Sequence, residues 1–167
     1  MPAIRQAEFE LLKEKIKDIK FTSFTTLELD GDLHSRPMAT HGVDPDGTLW
    51  FLTYQNSNKV REIQQNNRVS LAYSDHGSDT YVAAAGTAQV VDDRGKIHAL
   101  WSDFLKAWFP NGPDDPNITL LKVKPHQAEY WDRPGGKMVT MLETIKAAIT
   151  GQPDQTARNE KMGDEPR

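Results

Sequence analysis

Hydrophobic positions along this chain follow two different rhythms. Phe9, Leu12, Ile16 and Ile19 recur at spacings of three and four with Glu and Lys between them, which predicts a helix over residues 3–19 with one apolar face. From Phe21 the rhythm shortens to Thr-rich alternation, and Asp30-Gly31 separates two extended runs as a hairpin turn does. The second run, residues 33–43, meets the strong turn signal Asp44-Pro45-Asp46-Gly47 and is followed by a strand over residues 48–54. That strand is apolar on both faces, with Leu49 and Phe51 on one and Trp50 and Leu52 on the other. It is therefore expected between a core and a second covering layer.

A short helix is predicted over residues 58–66, then strands over 68–74 and 81–91, with Gly86 marking a bend or bulge in the second. Ile97, Trp101, Phe104 and Trp108 recur at four, three and four, predicting a helix over 96–109 whose aromatic stripe packs in a core or an interface. After a rigid polar loop at 110–117, strands are expected near 119–124 and 128–131, and a last helix over 138–149. Apolar residues nearly vanish after Gly151, so residues 1–150 read as one domain and 151–167 as a flexible tail. Six or seven strands joined mostly by turns predict a mainly β fold with helical additions. A small antiparallel barrel satisfies that pattern, whereas a parallel α/β sheet needs a helix after each strand.

Composition narrows the chemistry. A formal net charge of −4 argues against a broad basic surface for nucleic acid. The absence of cysteine removes disulfides, thiolate catalysis and cysteine metal sites. The five histidines are scattered without an HExxH or a close pair, so no metal is expected. No apolar stretch reaches membrane-span length and none near the start has the core of a signal peptide, so a cytoplasmic protein with no membrane contact is expected. No G-x-S-x-G elbow, P-loop or G-x-G-x-x-G occurs, which leaves hydrolysis unsupported.

Two stretches carry candidate chemistry. In "TYQNSNKVREI", residues 53–63, a cap at Asn56 or Ser57 is followed by Lys59 and Arg61 where a helix start favours acids. Either these are solvated charges on a surface helix, or hydroxyl, backbone N–H and ammonium groups together form a seat for phosphate. In "HSRPMATH", residues 34–41, Pro37 removes a ladder donor, so the strand carrying Arg36 should lie at an edge or be irregular. The turn at 44–47 joins the two stretches, which could place them on adjacent strands of one hairpin against one ligand.

Together "SRPMATH", "GTLWFLTYQNSNKVREI", "NNRVSLAYSD", "YVAAAGTAQVVDD", "LWSDFLKAWFPNGPDDP" and "VKPHQAEYWD" resemble the FMN-binding split-barrel family related to pyridoxamine 5′-phosphate oxidase, in its general stress protein 26 branch, over residues 5–133. The resemblance implies a six- or seven-stranded antiparallel split barrel, homodimeric, with FMN at the dimer interface. It implies that Arg36, Pro37 and Met38 line the isoalloxazine and that Leu52 and Thr53 contact the ring. Ser57, Asn58 and Lys59 occupy the family's phosphate-binding positions, and Trp131 would come from the other subunit. The chain departs from the oxidase at Asn58, where the oxidase has arginine, and at His41, where it has a lysine near the flavin. In this reading the strand over 48–54 packs the barrel on one side and a partner subunit on the other. The stretch after Asp132 resembles no substrate clamp, so synthesis of pyridoxal phosphate is not expected. What is expected is a general stress protein with flavin-dependent oxidoreductase activity on an unknown substrate. The alternatives are a non-catalytic flavin binder or buffer, or a deazaflavin-dependent reductase on the same fold.

Overall fold

The computed structural model describes residues 6–132 and 158–162. In chain order these form α1 (Gln6–Ile16), β1 (Phe21–Leu27), β2 (Leu33–Ala39), β3 (Gly42–Val43), β4 (Leu49–Tyr54), α2 (Asn58–Gln65), β5 (Arg68–Asp75), β6 (Thr80–Val91), α3 (Arg94–Leu100), a 3-10 turn (Asp103–Ala107), β7 (Ile118–Asp132) and β8 (Arg158–Met162). The strands make one sheet in the order β2-β1-β5-β6-β7-β4-β3, with β8 added against β7, and every pairing is antiparallel. This is the mainly β split barrel with helical additions that the sequence predicts.

Alternation decides which side of each strand faces inward. In β5, Val69, Leu71 and Tyr73 are buried while the residues between them face solvent. They join Phe24, Leu49, Phe51, Val82 and Leu121 in a core that α1 covers with Leu12 and Ile16. The Phe24 and Phe51 rings meet edge to face with centroids 5.1 Å apart, the arrangement their quadrupoles favour. Lys15 pairs with Asp132 and so ties α1 to the end of β7.

The bulge expected at Gly86 is present. The register between β6 and β7 shifts there, because Ala85 opposes Gln127 while Gly86 opposes Pro125, leaving His126 as the extra residue. A Cβ on Gly86 would lie 2.4 Å from the Lys124 carbonyl oxygen, so the close approach of the two backbones requires glycine. The two late strands predicted from the sequence are accordingly one continuous β7 that passes Pro125 at this irregularity.

Three further expectations are corrected. The run over residues 33–43 is not a single strand but breaks between Ala39 and Gly42 into β2 and β3. The helix expected over 96–109 ends at Leu100, where Trp101 turns extended with φ −66° and ψ 137°, and a separate 3-10 turn follows. The aromatic stripe is thus divided between two short elements. The second apolar face of β4, assigned above to a partner subunit, is covered by this chain itself: Trp50 and Leu52 pack with Ile97, Leu105, Phe109, Ile118 and Leu120. In the tail over residues 151–167, β8 pairs with residues 128–132 of β7, and Met162 is buried. The helix expected over 138–149 and the glycine turn at 134–137 lie outside the described residues.

Candidate functional site

The break after β2 creates the site. At the corner the Thr40 N–H donates to Lys20 O at 3.2 Å and the His41 N–H to Trp50 O at 2.9 Å, so the chain leaves β1 and joins β4 within two residues. Beyond this corner β2 pairs with β1, and β4 with β3 and β7, with no ladder between β2 and β4 among the described residues. The two candidate stretches are therefore not adjacent strands of a long hairpin. Gly42 and Val43 pair with Trp50 and Leu49, and further along the strands diverge. A cleft of about 240 Å³ opens between them.

Arg36, Pro37, Met38 and Ala39 of β2 form one wall of this cleft, Leu52, Thr53 and Tyr54 of β4 the other, and Lys59 of α2 closes one end. Phe21, Leu105, Trp108 and Phe109 complete the apolar rim, where Phe21 is 43% and Trp108 49% exposed. The Tyr54 hydroxyl donates to Trp108 O at 3.0 Å and its ring meets Phe109 at a tilt of 59°, which fixes the 3-10 turn against β4.

Polar groups gather at the Lys59 end. Ser57 caps α2 in an extended conformation, yet its hydroxyl makes no capping bond, and the first turn holds no acid. Instead Ser57 Oγ lies 3.4 Å from Thr53 Oγ1, and Lys59 Nζ donates to that same oxygen at 3.0 Å. Burial holds the Lys59 ammonium below the usual lysine range, the Arg36 charge lowers it further, and Glu62 partly opposes both. A cation in this position gains from an anion. His41 also lines the cleft, and burial, assisted by Lys20, lowers its pKa to about 4, so it is neutral near pH 7 and presents one donor and one acceptor.

Six of the nine residues proposed from the sequence meet here: Arg36, Pro37, Met38, Leu52, Thr53 and Lys59. Ser57 adjoins them through Thr53. Asn58 is exposed and borders a neighbouring hollow with Glu28, His34 and Arg61. Trp131 lies near the end of β7 opposite Tyr81, outside the cleft of its own chain and 36% exposed.

The residue that sequence reasoning missed is Glu62. Its carboxylate accepts from Arg36 Nη2 at 2.9 Å and from Thr26 Oγ1 at 2.5 Å, and it is only 5% exposed. A signal was available, since a residue three after Lys59 shares its helix face. Glu62 also comes together with Glu28 and His34, their ligand atoms lying within 4.8 Å of one another. A metal ion there would have to share Glu62 with a guanidinium already bound to it, and Arg61 lines the same hollow, so the charges oppose a cation.

Comparison with known proteins adds four findings. A family model described as pyridoxamine 5′-phosphate oxidase like matches residues 7–154. General stress protein 26 of Bacillus subtilis (strain 168) is 34% identical over 140 residues, covering 79% of this chain and 96% of that protein. A solved structure from Jannaschia sp. CCS1 aligns with a TM-score of 0.76 over 96% of this chain and all of its own, at 22% identity, which shows a shared fold. The general stress FMN/FAD binding protein from Xanthomonas citri aligns with a TM-score of 0.66 at 25% identity, covering 80% of this chain and 94% of that one.

Proposed function

Because this chain belongs to the pyridoxamine 5′-phosphate oxidase like family, we propose that it is a general stress protein that binds FMN in the cleft between β2 and β4 and acts as a flavin-dependent oxidoreductase. The observation that carries this reading is the half-buried Lys59 ammonium, aimed at Thr53 and crowded by Arg36 at the end of an apolar slot. A phosphate ester there would relieve the repulsion and meet the Ser57 and Thr53 hydroxyls. Pro37, Met38 and Leu52 suit a flat ring, and Arg36 offers donors to its polar edge. Neutral His41 can donate or accept a hydrogen bond beside that ring without adding charge. Bound flavin would supply the electron-accepting centre, and the protein its position, its electrostatics and the exclusion of water.

The same geometry supports a homodimer. A slot of about 240 Å³ in one chain is below the roughly 300–1,000 Å³ typical of ligand pockets. Phe21 and Trp108, both partly exposed at its rim, would then be covered by a second copy, with the partner subunit's Trp131 as a further wall. The absorbance of purified protein in the flavin bands, followed by the mass of the extracted cofactor, tests the reading. FMN is expected; a colourless protein that takes up no added flavin overturns it, and a deazaflavin mass replaces the cofactor. Steady turnover with NAD(P)H and an acceptor is expected of an oxidoreductase. Its absence from flavin-loaded protein marks a flavin buffer instead.

A further inference from the structure

A carboxylate as deeply buried as Glu62 is costly to desolvate unless a cation and further donors meet it. Both are present. Arg36 Nη2 lies 2.9 Å from Glu62 Oε2, Arg36 Nη1 donates to Thr26 Oγ1 at 2.5 Å, and Thr26 Oγ1 donates to the same Glu62 oxygen at 2.5 Å. The three side chains come from β2, β1 and α2 and close a ring of hydrogen bonds beside the cleft.

Two consequences follow for Arg36. Its guanidinium is planar with five N–H donors, so pinning one edge to Thr26 and Glu62 sets the direction of those left for the cleft that Arg36 lines. Its charge is also opposed at contact distance. With Arg36 and Lys59 both lining the cleft, Glu62 is the carboxylate that balances them among the described residues of the network.

We propose that Glu62 is the positioning residue of the flavin site: it holds the Arg36 guanidinium in one orientation against the ring and cancels most of its charge. This rests on the flavin reading above and goes beyond it by assigning control of the redox balance to a residue that does not line the cleft. An uncompensated cation beside the ring favours reduced flavin, which carries the more negative charge, over oxidised flavin. Glu62 therefore keeps the flavin potential low while leaving Lys59 to hold the phosphate.

The test is a redox titration of FMN-loaded protein against a reference dye, with separate titrations of oxidised and reduced FMN. Glu62→Gln keeps the shape of the side chain and an acceptor oxygen while removing the charge. Removing this charge should raise the ratio of reduced to oxidised FMN affinity roughly ten-fold, equal to about 30 mV toward positive potential for a two-electron couple. If the variant weakens both forms equally and the potential does not move, Glu62 is merely structural and the inference is overturned. Should Glu62→Gln fail to fold, Arg36→Gln is measured in its place and is expected to move the potential in the opposite direction. An unmoved potential there also overturns the inference. Wild-type protein that binds no flavin brings down both this inference and the functional reading, whereas bound FMN with an insensitive potential brings down this one alone.

Discussion

β4 and β2 leave the same corner and then part in character. β4 is laddered to β7 along its whole length and Leu49 to Thr53 are all buried, so each of its side chains is held by neighbours on two faces. β2 is laddered to β1, its first residue Leu33 is 76% exposed, and its Arg36 engages a carboxylate from another element instead of solvent. β4 serves the core along its length and gives the cleft only its last residues, Leu52 to Tyr54, whereas β2, at the split, gives it Arg36 to Ala39. This difference shows how a barrel can form a cleft without a cavity in its core: the curled sheet is left open along one line, and what lies along that line becomes the candidate site.

Four measurements break or sharpen this contrast. On the paired side, Phe51→Ala removes a fully buried ring that meets Phe24, and denaturant unfolding should show a loss of about 3–5 kcal/mol. A much smaller loss would mean that β4 is less rigidly held than its pairing implies. Gly86→Ala pushes a methyl group against the Lys124 carbonyl and should cost about 1–3 kcal/mol by the same assay, with no direct effect on the cleft.

On the open side the effects should fall on binding. Lys59→Ala should weaken FMN binding by about 1–3 kcal/mol in a fluorescence titration while leaving riboflavin affinity nearly unchanged. Equal losses for both ligands would remove the phosphate role. His41 gives an effect confined to acid pH, with a defined direction. Its folded pKa is about 4 against 6.5 for the free side chain, so between those values the unfolded chain binds a proton that the native one does not. Stability should therefore be unaffected by this group above pH 6.5 and should fall as the pH drops from 6.5 toward 4. The slope should be about 1 kcal/mol per pH unit, below the single-proton limit because solvent reaches part of the ring. His41→Asn should flatten that slope in thermal unfolding measured across the window.

Much of this molecule was legible before its structure. The spacing of Leu12 and Ile16, the alternation in β5 and the turn at 44–47 each depend on residues near in sequence, and each is where the pattern placed it. Gly86 announced its bulge because a glycine inside a strand is rarely neutral. The cap at Ser57 and the missing first-turn acid were equally local. Other features were hidden for a physical reason. The stripe from Ile97 to Trp108 keeps helical spacing through a break, because those aromatics pack against β4, Phe21 and one another rather than along a single helix face. β8 carries almost no apolar signal, since backbone hydrogen bonds to an existing strand edge suffice to pair it.

Local rhythm and turn chemistry determined the elements, the class of fold and the cationic helix start, because each depends on side chains a few residues apart. The tertiary structure alone decided that β2 and β4 diverge after their corner, that this chain covers the outer face of β4, and that Glu62 reaches Arg36. Those outcomes depend on groups distant in sequence competing for the same contacts and charges, and no window along the chain contains both partners.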